Sequence, residues 1–285
     1  MKLIRLLIVF LVVFAINLTN SYAGTEQLRI AIMQSEKHAA DKFQPLVVYL
    51  KNKGIEVNFI AVPDFPAAAK MFTAGAVDAM FSGSGVAGTM LIKEIAVPLV
   101  RPVSKDGRST YGTLVIAPKG SPKFTKSADY FKDKKVVFVP LASAGEFFYH
   151  SIPNIKSANA TAIKIGSHDS AIDLLSKGSV DIAIVKDRTW DKVKGNYPNL
   201  IVVGEDSGEH PDGTLIVSKK MPPQLVSKVS DALLSLKDDK SPQAQAVRDQ
   251  MNIQGYIKTT MEDFKYTFTH LKKAGVDKSF GFVFE

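Results

Sequence analysis

The sequence predicts an α/β protein made of two similar lobes joined by a hinge that the chain crosses twice. The main observation is a repeat: Asp64–Phe81 and Ser167–Ile184 share one pattern at a constant offset of 103 residues, without a gap. Each copy has a helix-capping residue, a short helix with an adjacent apolar pair, a glycine stop, Val-Asp and a short apolar strand. The second observation is that strand-like and helical segments alternate along the chain, which favours parallel sheets with crossover helices.

The first 23 residues predict a cleaved signal peptide. Lys2 and Arg5 are basic, residues 6–18 are almost entirely apolar, and Ser21-Tyr22-Ala23 resembles a small-x-small cleavage site. An uncleaved anchor is the alternative, but the apolar run is short for a membrane span. No cysteine follows the run, so a lipid-anchored lipoprotein is excluded. We therefore expect an exported, periplasmic protein.

Charge and cysteine content exclude several classes of function. Without Lys2 and Arg5, 34 basic residues remain against 28 acidic residues, for a net charge of +6. The basic residues are dispersed rather than interleaved with aromatic residues, so no nucleic-acid partner is expected. The chain contains no cysteine, which excludes disulfides and thiolate chemistry. A mild preference for anionic ligands is what this charge implies.

The first lobe is predicted to begin with a β-α-β-α-β-α series. The strands are predicted at 28–33, 57–62 and 79–81, and the helices at 39–53, in the first repeat copy and at 86–93. Strands at 96–103 and 112–117 flank a polar turn at 104–110, which marks the first exit from the lobe.

The second lobe is predicted to repeat the series. A short helix near 128–132 precedes strands at 135–139 and 161–165, a helix at 144–151 and the second repeat copy. A short helix at 190–193, a strand at 200–203 and a polar loop at 204–213 follow, before a strand at 214–218. Helices starting at Pro222-Pro223 and covering 242–252 and 260–273 complete the chain. After the signal peptide, the predicted domains are lobe I, residues 24–108 with 214–285, and lobe II, residues 109–213.

A ligand is expected in the cleft between the lobes, at the carboxyl ends of the strands. Gly83-Ser-Gly-Val-Ala-Gly88 matches a dinucleotide-binding pattern, but it follows a third strand and lacks the acidic residue some 20 positions on. We interpret it, with Ser84, as a helix start whose free N–H groups can bind an anion. Ser143 and Ala144 are its counterpart in the second lobe, where Ser143 either caps the helix or contacts a ligand.

His168 is a candidate ligand-binding residue because it starts the second repeat helix just after a strand. Neighbouring helix N-termini should favour its neutral form; a surface histidine is the alternative. Asp78 and Asp181 are related by the repeat, so we assign them a structural role at the helix–strand turn. No metal-ligand spacing, catalytic triad or carboxylate pair emerges, so neither a metal, a cofactor nor an enzyme activity is expected.

Several motifs together resemble one known family. They are Pro63-Asp-Phe65, Gly75-x-Val-Asp78, Lys105–Tyr111, Ala142-Ser143, Gly166–Asp169, Gly178-x-Val-Asp181 and Pro211–Val217. The chain resembles the phosphonate, phosphite and phosphate-binding components of bacterial ABC importers, which have the type 2 periplasmic-binding fold. The resemblance covers nearly all of the chain after the signal peptide.

The resemblance also implies which residues contact the ligand. Tyr111, Ser143 and His168 match family residues that hold the phosphonate oxygens. Phe65 and Ala144 stand where the family usually has tyrosine and threonine, so two hydroxyl donors are missing. Acidic residues that hold a ligand amine in some members correspond to Asp187 and Asp212.

The sequence therefore predicts a monomeric periplasmic solute-binding protein that closes on a small phosphorus oxyanion and delivers it to a membrane permease. One alternative is a protein of the same fold that docks to a membrane sensor, and another is a binder of a different small anion. A secreted enzyme that uses His168 and a carboxylate is a third; it would show turnover, whereas a binding protein would not.

Overall fold

The computed structural model describes residues 27–33, 39–63, 65–141 and 144–284. Its strands, in chain order, are β1 (Leu28–Met33), β2 (Val57–Val62), β3 (Ala79–Ser82), β4 (Ala96–Ser104), β5 (Thr110–Tyr111), β6 (Thr113–Pro118), β7 (Lys135–Phe138), β8 (Thr161–Lys164), β9 (Ile182–Lys186), β10 (Leu200–Glu205), β11 (His210–Pro211), β12 (Thr214–Ser218) and β13 (Ile253–Lys258). Its α-helices are α1 (Gln44–Asn52), α2 (Phe65–Thr73), α3 (Ser84–Ile92), α4 (Ala144–His150), α5 (His168–Ser176), α6 (Asp187–Val193), α7 (Pro223–Ser235), α8 (Pro242–Gln250) and α9 (Lys265–Lys273). Short 3-10 helices lie at Ala39–Phe43, Ala128–Phe131, Ile155–Ala158, Lys194–Asn196 and Glu262–Phe264.

Lobe I is built, within the described residues, on a six-stranded sheet in the order β13-β4-β12-β3-β1-β2. Strand β1 is parallel to β2 and β3, whereas β12 is antiparallel to β3 and β4. Side chains alternate between the faces of the sheet: Ile30 packs with α1, α7 and α8, and Ala31 packs with α2, α3 and α9. Helices on both faces explain why residues 30–33 of β1 are all apolar.

Lobe II has the same arrangement of strands. As far as the structure describes the chain, its sheet has five strands in the order β10-β6-β9-β7-β8. Strand β7 is parallel to β8 and β9, and β6 is antiparallel to β9 and β10. Read from the edge strand β8, the order β8-β7-β9-β6-β10 corresponds to β2-β1-β3-β12-β4 in lobe I. Strand β6 therefore takes the position of β12.

The structure confirms the sequence repeat. Helices α2 and α5 begin at Phe65 and His168, 103 residues apart as predicted. Each helix is followed by a glycine in the left-handed region, with φ of +73° at Gly75 and +71° at Gly178. The Gly75 N–H donates to the Phe72 carbonyl at 3.0 Å, and the Gly178 N–H donates to that of Leu175 at 3.0 Å. Both ends are left-handed C-caps, a position that glycine adopts without strain.

Asp78 and Asp181 have the structural role that the repeat indicated. The Asp78 carboxylate accepts from the Arg29 backbone N–H at 2.9 Å, and the Asp181 carboxylate accepts from that of Lys135 at 2.7 Å. Arg29 lies in β1 and Lys135 in β7, the strands parallel and adjacent to β3 and β9. Each aspartate therefore fixes the entry into β3 or β9 against its parallel neighbour.

The lobes are connected by β5 and β11, which pair with each other between the two large sheets. The outgoing crossing runs from β4 through β5 into β6, and the returning one from β10 through β11 into β12. His210 in β11 is fully buried, and its ring nitrogens contact the Thr267 hydroxyl at 2.9 Å and the Asp206 carboxylate at 3.1 Å. This network ties the hinge to helix α9. The domain boundaries after residues 108 and 213 stay a prediction.

Differences from the predicted elements occur where local pattern is weak. The polar loop predicted at 204–213 contains β11, and β13 was not predicted, because Gln254 and Gly255 interrupt its apolar pattern. Helices predicted at 39–53 and 260–273 each begin with a 3-10 turn, at Ala39–Phe43 and Glu262–Phe264.

The C-terminal segment, residues 277–284, contacts both lobes. The Lys93 ammonium at the end of α3 donates to the carbonyls of Lys278 at 2.5 Å and Phe280 at 3.0 Å. At the other end, the Phe284 ring stacks on His150 of α4 with centroids 4.5 Å apart, and its carbonyl accepts from Lys164 of β8 at 3.1 Å. The segment therefore bridges lobe I and lobe II on the side of α9.

The predicted signal peptide, residues 1–23, lies outside the described residues. Where the structure does describe the chain, none of its helices combines the length and the apolar composition that a membrane span requires.

Candidate functional site

Most of the predicted site residues share one structural feature, the first position of a helix. Phe65, Ser84, Ala144, His168 and Asp187 begin α2, α3, α4, α5 and α6. Each of these helices follows a strand of one of the parallel sets, so all five starts lie at the carboxyl edges of the two sheets. Helix N-termini carry unpaired N–H groups and a partial positive charge, so this edge favours anions.

Tyr111 joins the two lobes at this edge. Its hydroxyl is hydrogen-bonded to the Ser84 hydroxyl at the start of α3, and accepts from the Ala144 N–H at the start of α4 at 2.8 Å. All three residues are buried. Burial raises the pKa of the Tyr111 hydroxyl, which therefore stays protonated. The predicted residues Ser84, Tyr111 and Ala144 thus meet, and satisfy one another, between the lobes.

The glycines that resembled a dinucleotide motif serve close packing instead. A Cβ on Gly85 would lie 2.2 Å from the Leu141 carbonyl oxygen of lobe II, and one on Gly88 would lie 2.5 Å from the Leu271 side chain of α9. Helix α3 can therefore approach lobe II and α9 only without side chains at these positions. This explains the glycine spacing without a nucleotide.

His168 begins α5, the helix that follows β8, at the carboxyl edge of the lobe II sheet. Its Nδ1 atom is buried and has no hydrogen-bond partner among the described residues. Burial, reinforced by the nearby Lys186 ammonium, lowers the pKa of His168 to about 3, although Asp212 acts in the opposite direction. Burial and Lys186 therefore favour the neutral ring, the form that the sequence predicts; the contribution of the helix N-termini stays a prediction. A neutral imidazole can offer a donor to a bound oxyanion.

We predict that acid destabilises the protein through this histidine. An unfolded histidine has a pKa near 6.5, so lowering the pH protonates the unfolded chain first and favours unfolding. With a folded pKa of about 3, His168 alone should remove about 2 kcal/mol of unfolding free energy between neutral pH and pH ~5. Thermal melts at both pH values measure this change. His168→Gln should show a smaller pH dependence than the wild type; an equal dependence would contradict the assignment.

Two basic residues near the predicted site were missed from the sequence. Lys186 ends β9, and its ammonium lies 2.7 Å from one Asp212 carboxylate oxygen and 4.2 Å from the centroid of the Tyr111 ring. Arg188 pairs with the other Asp212 oxygen at 3.0 Å and donates to the Ser104 hydroxyl at 2.5 Å. Burial alone would raise the pKa of Asp212, but the two cations outweigh it and hold the pKa below its usual value. The sequence did contain a signal for these cations, because Lys-Asp-Arg begins at Lys186, the last residue of the buried strand β9.

The other predicted positions are placed as follows. The Asp187 carboxylate accepts from the Arg188 N–H at 2.6 Å and lies against Gly112 of the hinge crossing. Asp212 is engaged by Lys186 and Arg188, as described above. Phe65 begins α2, but its side chain lies outside the described part of the structure, and so does the whole of Ser143.

In the part of the chain that the structure describes, no group of three or more His, Cys, Asp or Glu residues is arranged to hold a metal ion. The carboxyl edges of the two sheets carry the Ser84 and Tyr111 hydroxyls, several helix N-termini, the neutral His168 and Lys186. Groups of these kinds can bind oxyanions.

The comparison with family models decides the class of protein. A model described as "ABC transporter, phosphonate, periplasmic substrate-binding protein" matches residues 29–264. The chain belongs to this family. As a member of the phosphonate-binding family, it is the periplasmic substrate-binding component of an ABC transporter and not an enzyme.

Solved structures show the same fold. XAC2383 of Xanthomonas citri, in a structure described as bound to ATP, has a TM-score of 0.70 and 17% identity, covering 87% of this chain and 96% of that one. PhnD1 of Prochlorococcus marinus, in complex with methylphosphonate, has a TM-score of 0.70 and 18% identity, covering 88% and 99%. A binding component of a phosphonate ABC transporter from Pseudomonas aeruginosa has a TM-score of 0.66 and 14% identity, covering 86% of each chain. The fold is that of type 2 periplasmic-binding proteins, as predicted. No curated protein matches the sequence.

Proposed function

We propose that the protein closes its two lobes on a small phosphorus oxyanion, a phosphonate in the first place, and presents it to the permease of its transporter. The observation that carries this proposal is the buried Nδ1 of His168, which has no partner among the described residues at the edge where helix starts meet. An unpaired buried polar atom is costly, and a ligand oxygen would satisfy it. Family membership supports the ligand class.

Binding would use the groups that now join the lobes. Ser84 and Tyr111 supply hydroxyls, and α4 supplies N–H groups next to Ser143. Because Tyr111 already links Ser84 with Ala144, a bound oxyanion must share or replace these hydrogen bonds. Ligand binding and lobe closure are therefore coupled, and the ligand selects the closed state by its contacts to both lobes.

A thermal-shift screen followed by calorimetry tests the ligand. The panel holds methylphosphonate, 2-aminoethylphosphonate, phosphite, phosphate, sulfate and ATP, with the protein from residue 24 onward. A ligand that binds only the folded protein raises its melting temperature by mass action. We expect the largest shift with a phosphonate. No shift with any phosphorus oxyanion, or a shift with sulfate alone, would overturn the proposal.

Tyr111→Phe is expected to weaken methylphosphonate binding about 10- to 100-fold. The variant loses a hydroxyl that contacts both lobes, and a buried group left without its partner costs about 1–3 kcal/mol. Calorimetry measures the affinity. Tyr130→Phe is the matched control, because the Tyr130 hydroxyl donates to Pro122 within lobe II at 3.0 Å. Equal affinities of the two variants would remove Tyr111 from the site.

The remaining features of the proposal concern the mature protein. It begins at Gly24 after removal of the signal peptide, and it is a monomer whose partner is the permease. Intact mass of the periplasmic protein and light scattering test these two points; an N-terminus at residue 1 or a dimer mass would contradict them.

A further inference from the structure

Asp212 at the cleft is already neutralised by the protein itself. Each of its carboxylate oxygens is paired with a cation, Lys186 at 2.7 Å and Arg188 at 3.0 Å. The three side chains are only partly exposed, at 20% for Lys186, 15% for Arg188 and 21% for Asp212. A carboxylate that is paired twice at this depth has little left to offer a third cation.

The two cations point to different partners. Arg188 is turned toward the outgoing hinge crossing, where it also contacts Ser104 and lies 3.7 Å from Asp106. Lys186 is turned toward the site, over the ring of Tyr111. An ammonium carries three N–H donors, so Lys186 keeps donors beyond the one directed to Asp212.

Two polar side chains around Lys186, among the described residues, lack a hydrogen-bond partner and could bind an anion. Thr113 is directly opposite Lys186 in the β6–β9 pair, so their side chains lie on the same face of the sheet. The Thr113 hydroxyl is buried and, within the described residues, has no hydrogen-bond partner, as is true of His168 Nδ1. At His168, Lys186 lowers the pKa more strongly than Asp212 raises it, and burial lowers it most of all. Asp187 is the other acid nearby, and its carboxylate is bound to the Arg188 N–H.

We infer that Lys186 is a specificity-determining residue, which occupies Asp212 and makes the cleft take phosphonates with an uncharged or anionic substituent while rejecting those with an ammonium group. The ammonium of an aminoalkylphosphonate needs a free carboxylate, but Asp212 is already paired with Lys186 and Arg188. The ammonium would therefore lie close to these two cations, and like charges at close range disfavour binding. This inference rests on the proposed function.

The test compares three ligands by calorimetry: methylphosphonate, phosphonoacetate and 2-aminoethylphosphonate. The wild type should bind the first two at least about tenfold more tightly than the third. Lys186→Met keeps most of the apolar stem and should lose affinity for methylphosphonate by about tenfold or more, with the preference over 2-aminoethylphosphonate reduced or reversed. Asp212→Asn, which removes the acid and keeps both cations, should retain the preference.

The outcomes separate the inference from the proposed function. Wild-type protein that binds 2-aminoethylphosphonate as tightly as methylphosphonate, or more tightly, overturns the role of Lys186 and leaves phosphonate binding intact. Wild-type protein that binds none of the three overturns the proposed function. Lys186→Gln serves as the second variant if Lys186→Met does not fold, and an unchanged ligand preference in it also overturns the inference.

Discussion

Gly85→Ala is expected to reduce the affinity for methylphosphonate by about 100-fold or more while leaving the unliganded protein folded. The added Cβ would lie 2.2 Å from the Leu141 carbonyl oxygen, which belongs to the backbone of the other lobe and cannot rotate away. Overlap of this size in a packed contact costs roughly 3 kcal/mol or more, which corresponds to the expected loss. We expect separation of the lobes to remove this contact, and alanine is the better helix former, so the open protein should stay folded.

Calorimetry and small-angle X-ray scattering check this prediction together. With saturating methylphosphonate, wild-type protein should become more compact, and the variant should not. Gly195→Ala is the control, because a Cβ there meets no atom within 4 Å. A Gly85→Ala protein with wild-type affinity would show that the approach of α3 to lobe II is not part of the closed state.

Glu146→Ala should lower the unfolding free energy by about 2–3 kcal/mol, or the melting temperature by roughly 5–10 °C. Glu146 is 1% exposed, accepts from the Leu141 N–H at 2.6 Å and pairs with Lys164 at 2.9 Å. Leu141 has a φ of +40°, an unusual value for leucine, and this hydrogen bond helps to hold its backbone in that conformation. Lys164 is 37% exposed and can turn to water, so the unpaired N–H is the main cost.

Glu146→Gln separates the two contributions. It keeps an acceptor for the Leu141 N–H but lacks the ion pair with Lys164, so about 1 kcal/mol should be lost. Chemical denaturation of both variants gives the two values. An equal loss in both would show that the ion pair, rather than the hydrogen bond to the Leu141 N–H, is the main contribution of Glu146.

Much of the fold could be predicted because its signals are local. Strand, cap, helix and glycine stop recur within about 20 residues, and Gly75 and Gly178 mark the same turn in both lobes. Strands β5 and β11 could not be predicted in this way. Each is two residues long and exists only because Tyr111 and His210 are brought together across 99 residues of chain.

The contrast between local signals and contacts of distant segments also explains which features of the site could be predicted. The positions of His168 and Ser84 at helix starts could be predicted, because a residue that starts a helix after a strand is recognisable from its neighbours, whereas their contact with a ligand stays a prediction. The pairing of Asp212 with Lys186 and Arg188 is a contact between segments 24–26 residues apart, and no local pattern encodes it. The resemblance to the phosphonate-binding family implied that Asp187 and Asp212 face a ligand amine, whereas the structure shows Asp212 paired with Lys186 and Arg188.

The C-terminal segment, residues 277–284, should restrain the separation of the two lobes. Lys93 holds one end of the segment and His150 with Lys164 the other, so the lobes can separate only as far as residues 277–284 can stretch or detach. Because these contacts must stretch or break when the lobes separate, we expect the segment to favour the closed state even before a ligand binds.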